Sequence, residues 1–202
     1  MPTPVRVWTP ANIVTMTRIG AFPLIMGFCY LEHYAHGEET KRLFAMLSML
    51  VFVIAFLSDI LDGYIARSRN EVTTLGKFLD PLSDKLVMVA ALVMLVRFER
   101  APAWAAVLII LREIAVTGLR TLASVEGLVI SASAGGKLKT VVQVIAVACL
   151  LFSYKRHFLG IIIDFDFWGE IVLYIALVIT LWSGFDYFKA FFTAHKPEDL
   201  AG

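Results

Sequence analysis

Long, unbroken apolar runs separated by short polar breaks make up most of this chain. Six such runs can be drawn, at 13–34, 43–66, 77–97, 103–125, 138–154 and 167–190. At about 1.5 Å per residue each is long enough to cross a hydrocarbon layer of about 30 Å. The breaks are HYAHGEETKR, SRNEVTTLGK, FERAPAW, EGLVISASAGGKLK and YKRHFLGIIIDFD. The runs are continuous rather than alternating, which predicts helices and argues against strands. No linker, low-complexity run or repeat divides the sequence. The expectation is therefore an all-α integral membrane protein, one domain over 1–202 with six transmembrane helices.

Composition agrees: 59% of the 202 residues are hydrophobic and 17% charged, with a mean hydropathy of +0.78, outside the range of soluble domains. A formal net charge of +1 gives no nucleic-acid signature. The distribution of charge is more informative. With six spans both termini share a side, and that side carries Arg6, Arg18, Arg67, Arg69, Lys77, Lys85, Arg120, Lys137, Lys139, Lys189 and Lys196. The other side carries Lys41, Arg42, Arg97, Arg100, Lys155 and Arg156, and Arg112 lies within the fourth run. The excess places both termini on the cytoplasmic side. Cys29 and Cys149 sit in apolar runs without CxxC spacing and read as small apolar residues. The first twenty residues lack the order of a cleaved signal peptide.

One polar stretch, SDILDGYIARSRNEVTTLGKFLDPLSDK at 58–85, interrupts the pattern where the second run leaves and the third enters the membrane. At about 100° per residue, Asp59 and Asp62 share one helix face and Asp80 and Asp84 another. In a hairpin of two helices the pairs face each other, and four converging carboxylates require cations. All-oxygen ligation suits Mg2+ or Mn2+, and two pairs suit a two-metal centre. Other roles stay open for single residues. Asp80 before Pro81 has the form of a helix N-cap, and Asp59 or Asp62 could pair with Arg67 or Arg69. Gly63, Ala66 and Gly76 fit close helix packing or room for a ligand, and Arg67 offers a planar phosphate donor.

Asp59, Asp62, Gly63, Ala66, Arg67, Gly76, Asp80 and Asp84 match every fixed position of DxxDGxxARx8GxxxDxxxD. In this the chain resembles the CDP-alcohol phosphatidyltransferases. The resemblance implies six transmembrane helices, two divalent cations, a CDP-linked lipid donor, release of CMP and a homodimer. It further implies Asp59, Asp62 and Asp80 as metal ligands, and Asp84 as general base and additional ligand. Gly63, Ala66, Arg67 and Gly76 would belong to the CDP site.

Charged residues elsewhere bear on the acceptor. Arg112 lies deep in the fourth run and Arg120 two turns later on nearly the same face, while Lys137 and Lys139 open the fifth run. Four cations near one mouth suggest a pocket for a second anion, so an acceptor that itself bears a phosphate. Lys137 and Lys139 also fit headgroup anchors, and Arg112 also fits an ion pair with a central aspartate. Glu113, adjacent to Arg112 and so off its face, is expected to hydrogen-bond elsewhere. The strings LREIAVTGLR, GKLKTVVQ, SGFDYFKAF and PANIVTMTRIGAFP resemble the family's branch acting on sn-glycerol 3-phosphate. That implies phosphatidyl transfer from CDP-diacylglycerol to sn-glycerol 3-phosphate, giving phosphatidylglycerol phosphate and CMP, in a bacterial cytoplasmic membrane with the site facing the cytoplasm. Asn12, Thr15 and Arg18 either line the CDP site or cap and anchor the first helix. A sibling enzyme using inositol phosphate would want the same cations, and a cation transporter would also carry intramembrane acids.

Overall fold

A computed structural model describes residues 10–69, 74–125, 134–158 and 161–194, with side chains described for 20–58, 85–125, 138–155 and 163–194. Among these residues the chain forms six helices: α1 (Pro10–Tyr34), α2 (Glu38–Arg69), α3 (Thr74–Arg97), α4 (Ala103–Val125), α5 (Ala134–Phe152) and α6 (Phe165–Ala194). Each corresponds to one of the six apolar runs, because a continuous apolar segment in lipid satisfies its backbone by closing its hydrogen bonds within itself.

Local chemistry sets the ends. Gly37, at φ 93°, supplies the left-handed turn between α1 and α2, and Glu38 and Glu39 then oppose the α2 dipole. Helix α3 stops in a Schellman motif, with Glu99 at φ 59° in the place glycine usually takes. Arg100 N–H donates to Leu95 O at 2.8 Å and Glu99 N–H to Val96 O at 3.1 Å. The motif turns Arg100 back across the bundle, where its guanidinium pairs with the buried Glu32 of α1 and donates to Leu151 O of α5 at 3.1 Å. This end of the bundle is opposite the aspartate run.

The break after α5 departs from the expectation of no strands. β1 (Lys155–Phe158) and β2 (Ile161–Asp164) form an antiparallel hairpin, Lys155 opposite Asp164. The β-branched Ile161–Ile163 run favours extended backbone, and a Lys155–Asp164 ion pair of 2.9 Å closes the open end. Asp164 also caps α6, accepting from Phe167 N–H at 3.3 Å.

A single core joins all six helices. Ile25 and Cys29 of α1 meet Phe52 of α2, Leu92 of α3, Ile109 of α4, Leu150 of α5 and Leu173 of α6. Fully buried alanines, among them Ala91, Ala105, Ala146 and Ala176, let the helices approach closely. Cys29 is buried, Cys149 half-buried, and both are free thiols. The outside is also apolar: Ile54, Ile114, Val178, Trp182 and Phe185 are all at least 60% exposed. So many exposed large apolar side chains suit lipid better than water. Glu38–Ser58 and Phe165–Ala194 are long and apolar enough to cross a membrane.

Helices α5 and α6 share the most extensive contact of any pair among the described residues. A Cβ on Gly169 would lie 2.9 Å from Leu150 Cγ and Cδ2 and 3.2 Å from Cys149 Cβ. Gly169→Ala should therefore cost about 1–2 kcal/mol, overpacking outweighing the alanine's helix preference. Thermal unfolding in detergent checks this; an unchanged or raised midpoint would show that the α5–α6 seam yields.

Candidate active site

The last turns of α2 carry Asp59, Asp62, Gly63, Ala66 and Arg67, and the first turns of α3 carry Gly76, Asp80 and Asp84. Their side chains lie outside the described residues, so the backbone alone is at issue. Both segments are helical and the two helices pack together. Asp59 and Asp62 are thus about 4.5 Å apart along one helix axis, and Asp80 and Asp84 about 6 Å along the other. One alternative falls: α3 begins at Thr74, so Asp80 lies inside the helix and is not its N-cap. That leaves the aspartate without a capping explanation. A donor set made only of carboxylate oxygens, in helical phase on two packed helices, fits hard divalent cations.

Beside this end, α4, α5 and α6 hold a buried polar centre. Arg112, 8% exposed, donates from Nη1 to Glu113 Oε1 at 3.1 Å and from Nη2 to Ser183 Oγ at 2.9 Å. Lys139 of α5, also buried, donates to the same Glu113 oxygen at 2.5 Å. Glu113 therefore does engage its neighbour: the two long side chains curl together although their Cα positions differ by about 100° around the helix. The carboxylate also lies within electrostatic reach of Lys85, the residue after Asp84. Arg112 Nε is buried with no hydrogen-bond partner among the described residues. Gln143 of α5 donates to Thr180 of α6 at 2.8 Å.

Two of the four cations singled out in the sequence, Arg112 and Lys139, are thus brought together through one carboxylate. Arg120, two turns further along α4, is exposed and lays its guanidinium over the Tyr187 ring, 5.7 Å from the centroid. Lys137 falls in the first turn of α5, its side chain outside the described residues. So are those of Asn12, Thr15 and Arg18 in α1. Donors remain in the centre: Arg112 has five N–H groups and Lys139 three, and the contacts above use only some of them.

From the sequence, Ser183, Gly184 and Tyr187 stand only as part of the string SGFDYFKAF, with no role assigned to any of them, and Glu113 is set apart from Arg112. The signal for a role was a serine–glycine pair and a tyrosine at helical spacing in the second half of α6.

Comparison with known proteins gives the chain a family. The CDP-alcohol phosphatidyltransferase family profile covers residues 8–182. The chain is 40% identical over 192 residues to the CDP-diacylglycerol–glycerol-3-phosphate 3-phosphatidyltransferase of Bacillus subtilis (strain 168), covering 93% of this chain and 97% of that protein. It is 37% identical over 179 residues to the protein of the same name in Rickettsia bellii, covering 89% and 93%. It is 33% identical over 199 residues to a probable phosphatidylglycerophosphate synthase of Mycobacterium tuberculosis, covering 98% and 86%. With the aspartate run on two packed helix ends and a family profile spanning most of its length, the chain belongs to the CDP-alcohol phosphatidyltransferase family.

Proposed function

We propose that this protein transfers the phosphatidyl group of CDP-diacylglycerol to sn-glycerol 3-phosphate, releasing phosphatidylglycerol phosphate and CMP. The observation that carries it is the eight-position run from Asp59 to Asp84 on the adjoining ends of α2 and α3, beside a buried cationic centre. The names of its relatives point to the same donor and acceptor.

Asp59, Asp62, Asp80 and Asp84 would hold two divalent cations, Mg2+ or Mn2+, which would neutralise the donor diphosphate and polarise the phosphorus under attack. Gly63, Ala66 and Gly76 leave space for the CDP moiety and Arg67 contacts its phosphates. Asp84 accepts the proton of the acceptor hydroxyl as that oxygen bonds to phosphorus. The bond to the bridging oxygen breaks and CMP leaves with its electron pair. Arg112, Arg120, Lys137 and Lys139 receive the phosphate of the acceptor, which orients the attacking hydroxyl.

The six helices cross the bacterial cytoplasmic membrane with both termini and the active site on the cytoplasmic side, where the soluble acceptor is available, and the protein acts as a homodimer. Support comes from the lysine and arginine asymmetry and from the apolar outer surface.

The test is CMP release from CDP-diacylglycerol in mixed micelles, with and without Mg2+ or Mn2+, against a panel of acceptors. Turnover is expected with sn-glycerol 3-phosphate and metal together, and not with glycerol or without metal. Release with inositol phosphate but not glycerol 3-phosphate would reassign the acceptor. Ion flux in liposomes without CMP release would replace the enzyme by a transporter.

A further inference from the structure

We propose that the face of α6 formed by Ser183, Gly184 and Tyr187 is the positioning element for the acceptor site. It aims Arg112 and Arg120 without neutralising them. The inference rests on the reading above, in which those two arginines receive the acceptor's phosphate.

Helices α4 and α6 pack side by side. Arg112 and Arg120 are two turns apart on α4, and each meets its own contact on α6. Ser183 Oγ accepts from Arg112 Nη2 at 2.9 Å. Gly184 lies under the same side chain: an added Cβ would come 3.0 Å from both Arg112 Cγ and Nε. The absence of a side chain there is what lets the guanidinium pass. One turn further, the Tyr187 ring, itself buried, carries the Arg120 guanidinium. Serine, glycine and tyrosine sit at i, i+1 and i+4, so their shared face is a consequence of helical phase.

The chemistry of these contacts is the stronger argument. A buried arginine is ordinarily stabilised by a carboxylate, which cancels its charge. Here α6 offers a hydroxyl, bare backbone and a ring face, all uncharged, and its nearest acid, Asp186, is exposed. Glu113 is the carboxylate in the centre, shared between Arg112 and Lys139. It offsets one of the charges of Arg112, Lys139 and Arg120, so these three stay net positive, and Lys137 of the proposed site adds to the surplus that a phosphomonoester of about −1.5 to −2 near neutral pH requires. Arg112 Nε, buried and unpartnered among the described residues, keeps a donor in reserve. An acidic residue on this face of α6 would reduce that surplus.

The experiment measures KM for sn-glycerol 3-phosphate and for CDP-diacylglycerol, with kcat, on purified full-length variants. Ser183→Ala removes a hydrogen bond to a charged group and should raise the acceptor KM about tenfold. Tyr187→Leu removes the cation–π contact and should raise it about three- to fivefold. The donor KM should stay within about twofold in both, because the aspartate end is untouched. Ser183→Thr restores the hydroxyl and Tyr187→Phe the ring, and each should bring the acceptor KM back toward that of the parent. Arg120→Ala is measured in parallel. An unchanged acceptor KM in Arg120→Ala overturns the phosphate reading itself. A raised KM in Arg120→Ala with none in Ser183→Ala and Tyr187→Leu overturns only the α6 inference. Equal rises in both KM values, or impairment that Ser183→Thr and Tyr187→Phe leave uncorrected, mark the face as merely structural and also overturn it.

Discussion

Asp84→Asn should lower kcat for CMP release by about three orders of magnitude while leaving CDP-diacylglycerol binding in place. Positioned general bases contribute roughly 10²–10⁴-fold, and asparagine keeps the shape and one ligating oxygen of the aspartate while losing its basicity. Asp84 stands one turn beyond Asp80 on α3 and is followed by Lys85, which lies within electrostatic reach of Glu113 and Lys139. It is thus the aspartate of the run nearest in sequence to the cationic centre, where the acceptor hydroxyl has to arrive. Asp59→Asn should behave differently, since Asp59 serves the cations alone whereas Asp84 is a base first and only an additional ligand: weaker metal affinity then lowers donor binding together with turnover, and excess Mg2+ recovers part of both. The pair is read by CMP release against metal concentration and by binding of a fluorescent CDP-diacylglycerol. If Asp84→Asn kept a tenth of parental turnover, the proton would be going elsewhere and the base assignment would fall.

The helices were legible in the sequence because length and continuity of apolar runs are local properties. The bounds of α4, 103–125, coincide with the expected span, and α5 and α6 differ by a few residues at their ends. What was illegible depended on partners far along the chain. Arg100 reads as an ordinary loop cation until the turn at Glu99 carries it to Glu32, 68 residues away. The hairpin at Lys155–Asp164 was written in three consecutive isoleucines, but they lie in a short break between two apolar runs, where four residues a strand are too few to show a period. Asp80 before Pro81 imitates a helix start, although α3 begins at Thr74. The placing of the aspartate run on two helix ends was legible because it flanks a short polar break between two apolar runs. The face of α6 that meets α4 was not, because a helix apolar on all sides does not declare which side is buried. Ser183, Gly184 and Tyr187 acquire meaning only once Arg112 and Arg120 lie against them.

Glu113→Gln should be the most destabilising single change in the cationic centre. The carboxylate accepts from both Arg112 and Lys139, whose side chains are only 7% and 9% exposed. Removing its charge leaves two cations close together with no anion between them. Breaking a buried pair by deleting one partner costs about 3–5 kcal/mol, which for a chain of this size lowers the thermal midpoint by roughly 10 °C. Coulomb attraction is not the whole reason, because glutamine still offers an oxygen to one donor; the cost lies in the second cation and in their mutual repulsion. Pairing the change with Lys139→Met removes one of the stranded charges and substitutes a flexible apolar side chain of similar length. The double variant should therefore regain most of the midpoint. It should not regain activity: with Lys139 gone and Nη1 of Arg112 without its anchor, the acceptor KM stays raised while the donor KM stays near that of the parent. Thermal unfolding in detergent and the two KM values together separate the roles. If Glu113→Gln moved the midpoint by less than about 2 °C, or the double variant were no more stable than the single, Glu113 would not be what keeps these charges inside the bundle.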